Sequence, residues 1–167
     1  MESYMNRISN TGIVPVVKIL EKEDAYPLAK GLLNGGIDVI EVTYRSEHAT
    51  SAIQTISKEL PDMLVGAGTV LSVDQAKEAV EAGAKFIITP GFNTKVVQWC
   101  LDYDVEVYPG VSTASEVEMA LSMGLTQLKF FPAESSGGAK KLKDLSAPYA
   151  NVHFMPTGGI NTKNMHD

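Results

Sequence analysis

The stretch Leu128-Lys129-Phe130-Phe131-Pro132-Ala133-Glu134 places a lysine inside a short apolar run. Such a run predicts a buried β-strand, where a lysine is rarely found unless it has a partner or a function. Because side chains alternate along a strand, Lys129 and Phe131 would share one face, and Leu128 and Phe130 would pack on helices. Burial disfavours the ammonium form, and an uncharged amine can attack a ketone to form a Schiff base. The alternative is a strand-end lysine that extends to solvent.

Six further apolar segments of similar length surround this strand in the sequence. The seven predicted strands are Val14–Val17, Val39–Thr43, Leu64–Thr69, Phe86–Thr89, Glu106–Pro109, Gln127–Phe131 and Val152–Pro156. They start roughly 20 to 25 residues apart, which fits a strand, a helix and two short connections. Strands that alternate with helices predict parallel βα units and the α/β class.

The segments between the strands carry signals for helix starts and ends. Asp24 is expected to cap a helix, and Ala49, Ala52, Ile53 and Ile56 predict the buried face of another. Ser72 and Thr113 are each followed three residues later by Gln75 or Glu116, which predicts two capping boxes. Glycines stand where helices should end, at Gly35-Gly36, Gly83 and Gly124.

Two parallel architectures fit this order, a doubly wound open sheet and a closed (β/α)₈ TIM barrel. Gly66-Ala67-Gly68 matches a dinucleotide-binding fingerprint only in part, because the third glycine is missing. A barrel collects functional side chains at the carboxyl ends of its strands. Polar residues stand at those ends here: Glu41, Thr43, Arg45, Thr69, Thr89, Lys129 and Thr157. We therefore expect a single barrel domain over residues 1–167, lacking the last helix-strand-helix unit that a complete barrel has.

Composition excludes several other classes of protein. The net charge is −6 and Arg7 and Arg45 are the only arginines, which argues against nucleic-acid binding. The sequence contains no run long enough for a membrane span and no signal-peptide core at its start. Cys100 is the single cysteine, which fits a reducing cytoplasm and a packing role on a helix face. The three histidines have no metal-ligand spacing, so we expect neither a metal nor a cofactor.

The same alternation places a carboxylate on the inner face of the second strand. If Ile40 and Val42 face the helices, Glu41 points inward, where it could move protons during Schiff-base chemistry. The alternative is that Glu41 forms an ion pair with Arg45 or Lys129. On the third strand we expect Val65, Ala67 and Thr69 to share the inner face, with small side chains leaving room. Lys18 and Lys85 are weaker candidates than Lys129, since one adjoins charged residues and the other starts its strand.

Three further segments are candidates for binding an anionic substrate. Arg45 could bind a carboxylate through two parallel hydrogen bonds, or it could pair with Glu47 or Glu41 instead. Thr69 could hydrogen-bond the same carboxylate, or cap the loop that follows it. Thr157-Gly158-Gly159 could present backbone N–H groups to a phosphate, or form only a tight turn.

Six motifs occur in order, and together they resemble a known enzyme family. They are Glu41-Val42-Thr43-Tyr44-Arg45, Val65-Gly66-Ala67-Gly68-Thr69-Val70, Thr89-Pro90-Gly91, Pro109-Gly110-Val111-Ser112-Thr113, Lys129-Phe130-Phe131-Pro132-Ala133-Glu134 and Pro156-Thr157-Gly158-Gly159-Ile160. From about Gly12 to the last residue, the sequence resembles the 2-keto-3-deoxy-6-phosphogluconate (KDPG) and 4-hydroxy-2-oxoglutarate (KHG) aldolases.

The resemblance implies a class I aldolase on a (β/α)₈ barrel that assembles as a homotrimer. It implies Lys129 as the Schiff-base lysine, Glu41 as the acid and base, and Arg45 and Thr69 on the pyruvate carboxylate. It further implies pocket and phosphate roles for Pro90, Phe131, Thr157, Gly158 and Gly159. The substrate would be a phosphorylated keto acid, cleaved to pyruvate and glyceraldehyde 3-phosphate, or KHG, cleaved to pyruvate and glyoxylate.

Two other functions fit parts of the same pattern. A barrel without its last unit could be an inactive module that binds phosphate ligands or assembles through an open edge. Another phosphate-binding barrel enzyme, an isomerase or a decarboxylase, could use Glu41 as a base without an imine.

Overall fold

A computed structural model describes residues 3–166 of the chain. It has seven strands: β1 Val16–Val17, β2 Val39–Thr43, β3 Leu64–Gly68, β4 Phe86–Thr89, β5 Glu106–Val111, β6 Gln127–Phe130 and β7 His153–Pro156. It has seven α-helices: α1 Tyr4–Thr11, α2 Ala25–Asn34, α3 Ala49–Glu59, α4 Val73–Glu81, α5 Thr94–Asp102, α6 Ala114–Ser122 and α7 Gly138–Ser146. Two short 3₁₀ helices cover Lys22–Asp24 and Glu134–Ser136.

The chain divides into two compact units, each built on parallel strands. The first unit runs to Thr89 and includes Asn93–Val107, and the second contains Pro90–Phe92 and the residues from Tyr108 onward. In the first unit, β1 pairs with β2, β2 with β3 and β3 with β4, all in parallel. In the second unit, β5 pairs with β6 and β6 with β7, also in parallel. The predicted α/β class with alternating strands and helices is therefore confirmed.

All seven predicted strands are present; the bounds of β2 and β4 match, and each of the other five differs by one or two residues at one end. The first strand is shorter than predicted because Pro15 has no N–H to donate; its carbonyl accepts a bond from Glu41 N at 2.9 Å. The third strand ends at Gly68, because Thr69 has a φ of 55° and leaves the extended conformation. The fifth strand is longer than predicted and continues through Val111.

The predicted helix caps are confirmed in part. Thr113 and Glu116 form a complete capping box. Ser72 accepts a bond from the backbone of Gln75, but the Gln75 side chain accepts from Leu71 instead of closing a box on Ser72. The predicted Asp24 cap is wrong. Asp24 belongs to a 3₁₀ turn and has helical dihedral angles of −76° and −19°, so its side chain does not reach the helix N–H groups.

In the first unit, α1 is tied to the segment before β2. Arg7 Nε donates to Asp38 Oδ2 at 2.7 Å, and Thr11 Oγ1 donates to Asp38 Oδ1 at 2.5 Å. The Thr11 hydrogen bond, with help from Arg7, holds the pKa of Asp38 below its ordinary value. This helix lies outside the elements predicted from the sequence, and these polar contacts hold it in place.

The core of the second unit lies on one face of β6. Leu128 and Phe130 are buried there, and they pack against residues of α6 and α7. The cluster comprises Val111, Val117, Ala120, Leu128, Phe130, Ala133, Leu145 and Val152. This confirms that Leu128 and Phe130 face the helices, which leaves Lys129 on the opposite face.

Cys100 is buried on α5, as its packing role predicts. Burial raises the pKa of its thiol to about 12, so the reactive thiolate form is scarce at neutral pH. No helix within residues 3–166 has both the length and the apolar character that a membrane span requires.

Candidate active site

Glu41 is the central polar residue of the first unit. It lies in the middle of β2, and its side chain is 0% exposed. The predicted buried position of Glu41 is therefore confirmed. A carboxylate in such a place is costly unless its surroundings compensate the charge, and this makes it a candidate for a chemical role.

Two glycines of β3 leave space for the side chains of Glu41 and Phe86. The register pairs Glu41 with Gly66 and Thr43 with Gly68, so Gly66 and Gly68 share the face of Glu41. A Cβ atom added at Gly68 would overlap Oε1 of Glu41, and one added at Gly66 would overlap the ring of Phe86.

This register corrects one sequence-based expectation. We expected Val65, Ala67 and Thr69 on the inner face, but Val65 and Ala67 pair with Ile40 and Val42 on the opposite one. The expectation considered residues with small side chains and overlooked the glycines, which have no side chain. A glycine within a strand often marks the close approach of another group, and the pair Gly66 and Gly68 carried that signal.

A chain of hydrogen bonds leads from β1 to Arg45. The buried Thr43 donates its hydroxyl proton to the carbonyl oxygen of Val17 at 2.7 Å, and Arg45 Nε donates to the same hydroxyl at 3.1 Å. The Arg45 side chain is exposed. Within residues 3–166 it forms no ion pair, so neither predicted alternative, a pair with Glu47 or with Glu41, is present. Its terminal nitrogens are available to an anion.

The loop after β3 begins with Thr69, whose backbone is unusual. Its φ of 55° lies in the left-handed region, which a β-branched residue rarely adopts. The preceding carbonyl, that of Gly68, accepts a bond from Tyr44 N at 2.8 Å, which ties this loop to the one after β2. Ser72, and not Thr69, caps the helix that follows. Strain of this kind is more often maintained at functional sites than elsewhere.

Tyr44 stands between Glu41 and Arg45 in the loop after β2, and it faces α3. Its hydroxyl lies 3.1 Å from Thr50 Oγ1. Burial raises the pKa of the Tyr44 phenol, so it stays protonated throughout the neutral range.

Lys129 is the central polar residue of the second unit. Its side chain is 5% exposed, so the alternative of a lysine that extends to solvent is wrong. Its Nζ lies 5.4 Å from the centre of the Phe131 ring, which is within the range of a cation–π contact. This contact agrees with the prediction that Lys129 and Phe131 share a face.

Backbone from the loop after β4 approaches the strand next to Lys129. Gly110 pairs with Lys129 in the register of β5 and β6. A Cβ atom added at Gly110 would overlap the carbonyl group of Pro90. The family resemblance implies a pocket role for Pro90, and Pro90 lies against the strand that carries the partner of Lys129. Gly110 was missed, although it too is a glycine within a strand.

The loop after β7 is joined by backbone bonds to the loop after β6. Ala133 N donates to Thr157 O at 2.7 Å, and Glu134 N donates to Gly158 O at 3.0 Å. Gly158 and Gly159 have φ values of 98° and 82°, which favour glycine. A Cβ atom added at Gly158 would lie 3.3 Å from the Phe131 ring. Phe131 therefore lies close to both Lys129 and the predicted anion loop.

Each of the two units carries its own set of candidate functional groups. The first has a buried carboxylate and an exposed guanidinium with available N–H groups. The second has a buried amine, an aromatic ring and a glycine loop. No group of three His, Cys, Asp or Glu side chains in the described part of the chain could hold a metal ion.

A family model matches almost the whole chain. Residues 4–167 match the model described as KDPG and KHG aldolase.

Individual proteins give the same result. The chain is 46% identical over 165 residues to the 2-dehydro-3-deoxy-phosphogluconate aldolase of Treponema pallidum, covering 99% of this chain and 79% of the relative. It is 45% identical over 161 residues to the KHG/KDPG aldolase of Escherichia coli K12, covering 96% and 76%. Among solved structures, the KDPG aldolase of Legionella pneumophila superposes with a TM-score of 0.89 at 43% identity, covering 92% of this chain and 74% of that one. That crystal structure holds pyruvate captured at low pH as a covalent carbinolamine intermediate.

Proposed function

The chain belongs to the family of KDPG and KHG aldolases, and we propose that it cleaves its substrate through a Schiff base on Lys129. As a class I aldolase it is an aldehyde-lyase. KDPG would yield pyruvate and glyceraldehyde 3-phosphate, and KHG would yield pyruvate and glyoxylate. The observation that carries the assignment of Lys129 is its burial, at 5% exposure, on the face of β6 opposite the apolar core.

The reaction begins with attack of the Lys129 amine on the keto carbon of the substrate. The resulting carbinolamine loses water to give a protonated imine, which withdraws electrons from the adjacent carbon. The bond between C3 and C4 then breaks as the C4 hydroxyl loses its proton. The bonding electrons move toward the imine nitrogen to form an enamine, and the aldehyde leaves. Protonation of C3 and hydrolysis release pyruvate and restore the amine.

Glu41 is the group that we assign to the proton transfers. It would deliver a proton during dehydration of the carbinolamine and accept one from the C4 hydroxyl during cleavage. A buried carboxylate suits both steps, because its affinity for a proton can be tuned by its surroundings. The support for this role is the 0% exposure of Glu41 and the space that Gly68 leaves for its side chain.

The remaining site residues are assigned to binding. Arg45 and Thr69 would hold the carboxylate of the keto acid, which is supported by the available guanidinium of Arg45 and the unusual backbone of Thr69. Pro90 and Phe131 would shape the pocket around Lys129. Thr157, Gly158 and Gly159 would receive the phosphate, since two left-handed glycines let backbone N–H groups turn toward an anion. No cofactor is needed for this chemistry.

Architecture and assembly are part of the proposal. The repeated strand–helix unit, with seven strands within residues 3–166, supports a (β/α)₈ barrel. We propose a homotrimer, which light scattering in solution would test. We also propose a cytoplasmic location, where a single buried cysteine would stay reduced.

Steady-state cleavage of the two candidate substrates tests the proposal. Pyruvate release would be followed with lactate dehydrogenase and NADH on the purified 167-residue chain, with KDPG and with KHG. We expect turnover of at least one substrate, and none above background in Lys129→Ala. Equal turnover in wild type and Lys129→Ala would overturn the assignment.

A further inference from the structure

The hydrogen bond between Thr43 and Arg45 gives a role to a residue outside the proposed site. We propose that Thr43 is a positioning residue, which fixes the guanidinium of Arg45 so that its two terminal nitrogens receive the carboxylate of a 2-keto acid. This inference rests on the proposed function of the chain, in which Arg45 binds that carboxylate.

The Thr43 hydroxyl has a single proton to donate. Thr43 Oγ1 lies 2.7 Å from the carbonyl oxygen of Val17, which can only accept a hydrogen bond, so the proton points there. A lone pair of the same oxygen is then left for Arg45 Nε, which lies 3.1 Å away. Val17 belongs to β1 and Thr43 to β2, and the two strands are paired, so the direction of the hydroxyl is set by the sheet.

The consequence for Arg45 is a fixed orientation. An arginine has five N–H donors, and carboxylates bind it either through Nε and one terminal nitrogen or through both terminal nitrogens. Because Thr43 occupies Nε, the geometry leaves the second arrangement. Within residues 3–166, neither an ion pair nor a further hydrogen bond competes for the terminal nitrogens.

Burial explains why the residue at this position should be a threonine. Thr43 is 0% exposed, whereas Arg45 is exposed and would otherwise sample many rotamers. The β-branched side chain of threonine is stiff about its first torsion angle, so it holds the hydroxyl in place. Binding a carboxylate to a pre-oriented guanidinium avoids the entropy loss of ordering it at that moment. The sheet therefore fixes the Thr43 hydroxyl, and the hydroxyl in turn restricts the rotamers of the exposed Arg45 side chain.

The test compares two ketones that differ in charge. Each protein is incubated with graded concentrations of pyruvate or of hydroxyacetone, which has no carboxylate, and the imine is reduced with cyanoborohydride. Intact-mass measurement gives the half-saturating concentration of each ketone. The proteins are wild type, Thr43→Val, Thr43→Ala, Thr43→Ser, Arg45→Met and the double variant Thr43→Val/Arg45→Met.

We expect Thr43→Val to raise the half-saturating pyruvate concentration roughly tenfold, the size typical of a lost hydrogen bond to a charged group. Hydroxyacetone should change less than about twofold, because it offers Arg45 no carboxylate. Thr43→Ser, which keeps the hydroxyl, should stay within about threefold of wild type. In the Arg45→Met background, Thr43→Val should have almost no further effect, since the two residues act through one contact.

Several results would overturn the inference. One is an equal effect of Thr43→Val on both ketones, and another is additive effects of the two substitutions. A serine variant as impaired as the valine variant would also contradict it. Circular dichroism reports folding, and loss of the fold in both Thr43→Val and Thr43→Ala would assign Thr43 a structural role instead. If wild type itself forms no adduct with pyruvate, the proposed function fails first, and this outcome differs from all the others.

Discussion

The β2–β3 region of the first unit and the β6–β7 region of the second each bury a charged side chain, and they do so by different means. Around Glu41, space comes from a missing side chain, because Gly68 stands on the same face. Lys129 lies near the Phe131 ring, and its strand partner Gly110 lies against the backbone of Pro90. A side chain added at Gly68 would therefore meet the flexible end of Glu41, whereas one added at Gly110 would meet rigid backbone.

This difference fits the chemistry that each group is proposed to perform. A proton donor and acceptor must reach several atoms of a changing substrate, so limited freedom is useful to it. A nucleophile must meet one carbon atom in one geometry, so a rigid setting is useful to it. Four substitutions in the two regions test the contrast, starting with the largest expected effect; a fifth at Glu116 and one trapping experiment follow them.

Replacing the lysine should have the largest effect, because no other group can form the imine. We expect Lys129→Met, which keeps the length of the side chain, to lower turnover by at least about a thousandfold. The matched control is Lys85→Met, since Lys85 is an exposed lysine immediately before β4. Coupled pyruvate release measures both variants. A comparable loss of turnover in the two variants would contradict the assignment of Lys129 as the Schiff-base lysine.

Replacing the glutamate should slow catalysis without abolishing binding. We expect Glu41→Gln to lower kcat by about 10²- to 10⁴-fold, the usual contribution of a positioned acid and base. The pyruvate concentration that half-saturates imine formation should change little, because Arg45 and Thr69 remain. Glu47→Gln, an exposed neighbour in the same loop, serves as the control. If Glu41→Gln kept wild-type turnover, the proton-transfer role would be wrong.

Replacing one glycine by alanine in each region compares how much space each environment has for an added methyl group. Gly110→Ala should destabilise the fold by about 2 to 3 kcal/mol, because its new Cβ meets the backbone of Pro90. Gly68→Ala should cost less, about 1 kcal/mol, because it meets the end of the flexible Glu41 side chain, yet it should lower turnover.

Urea unfolding and turnover measure the two variants together. Gly31→Ala, on helix α2 with no atom within 4 Å of the added Cβ, is the control and should be neutral or stabilising. A reversed order of stability between the Gly110 and Gly68 variants would show that the contrast between the regions is wrong.

The smallest effect concerns Glu116, a carboxylate outside the proposed site. Burial alone would raise the pKa of Glu116, but bonds from the backbone of Ser112 and from Thr113 outweigh it, so the pKa is lowered. Its stabilising effect is therefore complete above the ordinary value of 4.5 and is lost as the pH falls through the lower pKa of the folded state.

Glu116→Gln measures this contribution. The variant should be less stable than wild type by at most about 1 kcal/mol at pH 7, since solvent screens a partly exposed group. The gap should close as the pH drops below 4.5. Thermal unfolding across this range checks the result, and a gap independent of pH would assign the loss to packing.

The sequence predicted the strands well because each is a short apolar run between turn residues. It correctly predicted that Lys129 and Glu41 are buried. This was possible because side chains alternate along a strand, so the apolar neighbours show which face each residue takes. It failed on β3, where the inner face carries Gly66 and Gly68, because glycines give no hydrophobic signal to read. It also failed at Asp24, where a 3₁₀ turn runs into the helix, and it missed α1, which is held by the contacts of Arg7 and Thr11 with Asp38.

The most direct test of the central claim is reduction of the protein with borohydride in the presence of pyruvate, followed by peptide mass mapping. The account predicts one adduct per chain, carried by the peptide that contains Lys129 and absent from the Lys129→Met variant. An adduct located on Lys18 or Lys85, or no adduct at saturating pyruvate, would contradict it.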